Sequence, residues 1–311
     1  MDLTGRWPRL GVDRPLREAE RRNRLDIRRR FDVEPEESFS TIKMNSTYLE
    51  VVDKCYYWRG LSLLFALPVL PVLFCLSVAG PWLSAKLAFT APLLAAFGFA
   101  FTVFAWYCLY RIGLPMLAEL FDLTHNPIRL NRRNRTLYAF SYRSGTVVSA
   151  PWDGMLFTVF DASGAGSRGA YCMLMGHILS EDGASVVDTI LFACTARSPE
   201  RIVPYWEYLR RYMEEGLEKL LPLVERCLPL DEKKEPPLLG WKLVQARLLA
   251  CFAYPLWLCR RLAMYTSKVP RWPEWVEEEC VVSLDDRFVR TGEQDSPLTG
   301  ESRLPYNANV G

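Results

Sequence analysis

The sequence predicts an α+β membrane protein, in which a two-helix transmembrane hairpin is joined to a cytoplasmic β-rich domain closed by an amphipathic helix. Three observations carry that prediction. Gly60–Tyr110 holds a single charged side chain, Lys86. Residues 128–195 alternate short β-prone runs with turn residues, and a segment with one apolar face follows them.

Residues 1–38 form a charged N-terminal region. From Asp13 to Phe31, DRPLREAERRNRLDIRRRF reads as a helix with Asp13 as its cap, Pro15 in its first turn, and Glu18/Arg22, Glu20/Arg24 and Asp26/Arg30 as i,i+4 pairs. Its apolar residues make no continuous stripe. Two readings therefore stand: an arginine-rich element on anionic headgroups or an acidic partner, or a solvated helix whose arginines are matched by carboxylates. Residues 39–58 lead toward the membrane.

The hairpin occupies 59–111, with spans at 60–79 and 87–110. Each run is long enough to cross roughly 30 Å of hydrocarbon as a helix. Ser62, Ser77, Thr90 and Thr102 are the only polar interruptions, whereas a water-exposed helix would show a polar face every turn. Pro68, Pro71 and Pro92 would damage a soluble helix but are tolerated in membranes. Trp58, Arg59, Trp82, Trp106, Tyr107, Tyr110 and Arg111 mark the membrane interfaces. The alternative is a pair of buried core helices. The connector carries Lys86 alone, while Lys43, Lys54, Arg59, Arg111, Arg129, Arg132, Arg133 and Arg135 flank the spans, which places both termini in the cytoplasm. The first apolar run begins too late for a cleavable signal peptide.

Residues 128–221 read as the β-rich domain. IRLN, TLYAFS, GTVVSAPW, LFTVFD, AYCMLMGHIL and VVDTILFAC are strand-like, and the glycine-rich 163–169 stretch reads as a hairpin loop. PERIVPYWEYLRRYMEEGLEKLL then spaces Ile202, Trp206, Leu209, Met213 and Leu217 along one helix face. Six or seven strands closed by one helix is the layout of a small barrel such as the pleckstrin-homology-like fold. DEKKEPP (231–237) is a linker, and 238–288 holds the uncharged run LLACFAYPLWLC followed by a Trp/Pro segment. Twelve residues cannot span a bilayer, so 248–259 is either an interfacial helix or one packed on the rest of the protein. Residues 289–311 read as a disordered tail.

Chemistry is sparse. A net charge of +2 argues against a nucleic-acid protein. Nine scattered cysteines without a CxxC fit reduced thiols better than a disulfide framework or a zinc site. His125 and His177 have no metal-like partner at helical spacing and read as structural. There is no P-loop, GxSxG or HExxH, so neither a catalytic residue nor a cofactor or metal site is expected and the chain reads as non-enzymatic. Trp272, Trp275, Glu277, Glu278 and Glu279 are the candidate partner contacts, with core packing of both tryptophans as the alternative.

Four segments, YLEVVDKCYYWRG, IRLNRRNRTLYAF, the tryptophan of APWDG and VPRWPEW, resemble a family of uncharacterised proteobacterial inner-membrane proteins with a hairpin anchor, associated with type VI secretion effector loci. The resemblance covers roughly residues 39–280. It implies an accessory role beside a secreted toxin, either an immunity protein or a delivery factor, with a toxin effector or secretion component as protein partner. The other expectation is a protein that senses lipids or remodels the membrane at the cytoplasmic leaflet.

Overall fold

A computed structural model describes residues 14–113, 117, 119–141, 145–161, 172–196, 198–224, 226–245 and 250–292. The glycine-rich 163–169 stretch and residues 293–311 of the tail lie outside these described residues. In chain order the elements begin with β1 (Arg14–Pro15), α1 (Glu18–Arg22), β2 (Arg24–Leu25), β3 (Thr41–Met44), β4 (Tyr48–Val51) and α2 (Lys54–Trp58). Two long apolar helices follow, α3 (Leu61–Leu87) and α4 (Pro92–Cys108). Then come β5 (Ile128–Asn131), β6 (Thr136–Phe140), β7 (Val147–Pro151), β8 (Leu156–Asp161), β9 (Cys172–Leu179) and β10 (Ser185–Ala196). The chain continues through α5 (Val203–Glu214), α6 (Pro237–Gln245), α7 (Ala250–Thr266) and α8 (Glu274–Glu279) to β11 (Arg290–Thr291).

These elements make an α+β protein of two units. Trp58–Thr124 and Pro236–Lys268 form a helical unit, and the segments ending at Tyr57, spanning His125–Glu235 and beginning at Val269 form a β-rich unit. The boundary at Pro236 falls inside the DEKKEPP linker.

The β-rich unit contains two antiparallel sheets, ordered β11-β3-β4-β5-β6-β7 and β1-β10-β9-β8-β2. Strand periodicity sends alternate residues to one core. Leu49, Val51, Ile128, Leu130, Leu137 and Ala139 come from the first sheet, and Phe157, Val159, Leu174, Ile190 and Phe192 from the second. Helix α5 closes it with Trp206, Leu209 and Met213, which belong to the periodic face read from sequence, and with Tyr205, which does not. The Trp206 ring lies 4.7 Å from Phe157 and stacks 5.8 Å from Trp152. Each such side chain contributes roughly 1.5–3 kcal/mol when fully buried.

The local sequence was a poorer guide in four places. Residues 39–58, read as a lead-in, supply β3 and β4, and Val51 pairs with Ile128 although the hairpin intervenes in sequence. Of the helix expected over Asp13–Phe31, whose cap Asp13 lies outside the described residues, only Glu18–Arg22 is helical from Arg14 onward, because Arg24–Leu25 pairs with β8 and Leu25 and Ile27 enter the core. The helix expected to reach 221 ends at Glu214, where Gly216 adopts a positive φ of 98° that few side chains tolerate. The tail begins as structure too, since β11 pairs with β3.

In the helical unit α3 runs through Pro81 to Leu87, so the tip lies at 88–91 and not at 80–86. Gly80 and Ser84, assigned by sequence to the connector, pack against α4 and keep the helix going. Pro92 opens α4 at the position where its missing N–H costs nothing. The described part of the apolar run, 250–259, belongs to the longer α7, which continues to Thr266; residues 248 and 249 lie outside the described residues.

Candidate functional site

Two regions stand out. The first is the hairpin, whose two helices are long and apolar enough to cross a membrane. Its buried seam is small and weakly polar: Ser77, Ser84, Ala95, Thr102 and Ala105. A Cβ added to Gly98 would come within 2.7 Å of the Ser84 Oγ, so the helices approach closely there. The large side chains point the other way, among them Phe74, Val78, Leu93, Phe97, Phe99 and Phe104. Phe89 at the tip is 98% exposed. Only 22% of the most apolar stretch of α3, and 17% of that of α4, is buried. Water would drive the opposite arrangement, since burying one Phe or Leu is worth far more than burying Ser or Ala.

Six of the seven residues expected at the membrane interfaces, Trp58, Trp82, Trp106, Tyr107, Tyr110 and Arg111, are exposed. Trp82 lies on α3, with the Lys86 ammonium 3.7 Å over its ring. Arg59 departs from the expectation. It is only 6% exposed, and its Nη2 donates to Ser267 Oγ and to the Glu119 carbonyl at 3.0 Å, with Asp122 3.9 Å away. Its role is to tie the foot of α3 to the segments after α4 and α7.

The second region is centred on Arg129, on the face of the first sheet opposite the core. Register places Glu50 on β4, Arg129 on β5 and Tyr138 on β6 side by side. Arg129 donates to Glu50 through Nε at 2.9 Å and to Glu277 through Nη2 at 3.1 Å. Its guanidinium lies 4.3 Å from the Tyr48 ring and 4.7 Å from the Trp272 ring. Burial disfavours its charge, but Glu50, Tyr48 and Glu277 outweigh that and hold it protonated. Burial likewise pushes the Glu50 carboxyl up against the pull of Arg129.

A cavity of about 100 Å³ adjoins this cluster, lined by Lys43, Glu50, His125, Arg129, Asp231 and Trp272. Lys43 is paired with Asp231 at 2.8 Å, and Arg129 Nη1 is a buried donor with no hydrogen-bond partner among the described residues. The arrangement can bind a small polar group by charge-assisted hydrogen bonds.

The residues predicted as partner contacts converge here, largely as a clasp. Trp272 packs 5.1 Å from Phe140, and Trp275, 41% exposed, rests edge-on against Tyr138. Glu277 pairs with Arg129, and Glu279 accepts hydrogen bonds from the Tyr138 hydroxyl and, at 2.8 Å, from Asn134 Nδ2. Glu278 is exposed. Sequence reading took Arg129 only as one of the charges flanking the spans, although YLEV and IRLN each carry one charge at the same phase of the alternation, and that coincidence could have flagged it as a site residue. His177, 2.8 Å from Thr189 Oγ1 and 3.2 Å from Thr158 Oγ1, is buried inside the second sheet.

Together these features define an α+β protein with an apolar two-helix hairpin inserted between two paired strands of a β-rich unit. Residues 104–284, more than half of the chain, match a family described as one of unknown function (DUF6708), and the chain belongs to it. No curated protein and no solved structure matches the chain.

Proposed function

We propose that this chain is a membrane-tethered, non-enzymatic binding protein. In this reading the hairpin anchors it in the bacterial inner membrane with both termini cytoplasmic, and the β-rich unit recognises a protein partner. The observation that carries the reading is the inverted hairpin: it buries Ser, Ala, Thr and Gly and presents Phe, Leu and Val, the arrangement that lipid favours and water penalises. The charge distribution supports the orientation. Segments 58–124 and 236–268 carry eight basic and two acidic residues, and Lys86 is the only one of the eight near the tip.

The order of strands supports a pleckstrin-homology-like reading of the β-rich unit. A meander of β3–β7 is followed by a second meander, β8–β10, and then by α5. Tethering such a module concentrates it at the bilayer, so a modest affinity suffices for a partner that arrives there. The resemblance of four sequence segments to a hairpin-anchored family at type VI secretion loci supports a toxin effector or a secretion component as that partner. The role would be immunity or assistance in delivery.

The test is a mild-detergent pull-down of the tagged full-length protein from its native cells, paired with gene deletion. A stoichiometric toxin-like or secretion-apparatus partner, with deletion harmful only when that toxin is present, is the expected result. Growth loss in toxin-free cells, or recovery of lipid alone, would count against it.

A further inference from the structure

Helix α7 has two unlike faces. Ala253, Leu256, Cys259, Ala263 and Met264 are buried. Val244, Ala253 and Leu256 pack with Leu61 and Leu64, which belong to the first turn of α3. Gly60, with φ 88°, meets the same helix so closely that an added Cβ would lie 2.5 Å from the Arg260 backbone nitrogen. These contacts place α7 across the foot of the hairpin, at the depth where α3 begins.

The other face is apolar and exposed. Tyr254, Leu258, Leu262 and Tyr265 follow one another at spacings of four, four and three residues, so they share one stripe with a tyrosine at each end. Arg261 and Lys268 are exposed beside it, and Lys242 lies on the adjoining α6. Arg260 and Arg261 sit inside α7, which therefore does not cross hydrocarbon as a further span.

We infer that α7 is an interfacial helix: its Tyr254/Leu258/Leu262/Tyr265 stripe sinks into the headgroup boundary of the cytoplasmic leaflet, and the neighbouring basic residues meet anionic headgroups. The inference rests on the hairpin being the membrane anchor. The occupant is lipid because the stripe belongs to the same unit as the hairpin's exposed apolar surface and lies at its foot. An apolar stripe bordered by Lys and Arg is the form that binds the plane of a bilayer. The hairpin then does not act alone, and the helical unit presents a two-part footing that fixes its tilt.

The experiment uses the full-length protein in vesicles of phosphatidylethanolamine and phosphatidylglycerol. A diazirine-bearing aliphatic amino acid, close to leucine in shape, replaces Leu258 or Leu262, with Phe97 on the hairpin and Val187 on β10 as reference positions. After illumination, lipid adducts are expected at 97, 258 and 262 and not at 187. Adducts at 97 with none at 258 and 262, or with cross-links there to a second copy of the chain, would overturn the inference and leave the anchor standing. Absence of lipid adducts at 97 would overturn the anchor itself, and the inference with it.

Discussion

Gly80 of α3 faces Thr102 of α4 so closely that a Cβ placed on Gly80 would stand 2.1 Å from the Thr102 Oγ1. That hydroxyl donates back to the Gly98 carbonyl at 2.9 Å, so neither helix offers space to the other. Gly80→Leu is expected to force the pair apart at a cost of about 1–3 kcal/mol. Thermal loss of helical circular dichroism in detergent would shift down by several degrees. Phe97→Leu, on the exposed side, would leave the transition in place.

The ion pair of Glu50 with Arg129 is buried, and removing one partner strands the other. Arg129→Met is expected to destabilise the β-rich unit by about 3–5 kcal/mol, and Glu50→Leu together with Arg129→Met to recover much of that. The Glu277 partner is half exposed, so Glu277→Gln should cost at most about 1 kcal/mol. Denaturant titrations of the wild type, Glu50→Leu, Arg129→Met and the double variant, read as a double-mutant cycle, with Glu277→Gln measured beside them, check the ordering.

His177 titrates against folding. Burial lowers its pKa from 6.5 to about 4, with the charge of Glu20 opposing and those of Arg14 and Arg17 reinforcing the shift. The folded state thus binds its proton less readily than the unfolded chain, and stability is complete above about pH 6.5 and falls as the pH drops toward 4. The loss at about pH 5 amounts to roughly 2 kcal/mol. Urea midpoints followed by tryptophan fluorescence should fall between pH 7.5 and 5, and His177→Gln should remove most of that slope.

Cys75 is exposed on the surface of α3. With the hairpin in a bilayer, its thiol is shielded from aqueous maleimide, and peptide mapping should find it unmodified in intact vesicles and modified after denaturation in SDS. Full labelling in intact vesicles would place α3 in water.

The β-rich unit shows how far local pattern carries. The alternation in TLYAF and LFTVF marked β6 and β8, and the spacing of Trp206, Leu209 and Met213 marked α5, because each depends on neighbours within a few residues. TIKM and YLEV pair with each other but went unread as strands, and YLEV meets its other partner, IRLN, only after the whole hairpin has intervened. Arg14–Pro15 and Arg24–Leu25 are too short to show any period, and only their pairing with β10 and β8 makes them strands.

The candidate site divides in the same way. A scarcity of charge is written into the chain, so the sequence alone determined the apolar hairpin and the basic residues that flank it. Which side chains the hairpin buries, why Arg59 turns inward, and how Arg129 comes to lie between Tyr48 and Trp272 depend on groups distant in sequence. Burial, pairing and cavity shape arise only when those groups meet, and the tertiary structure decided them.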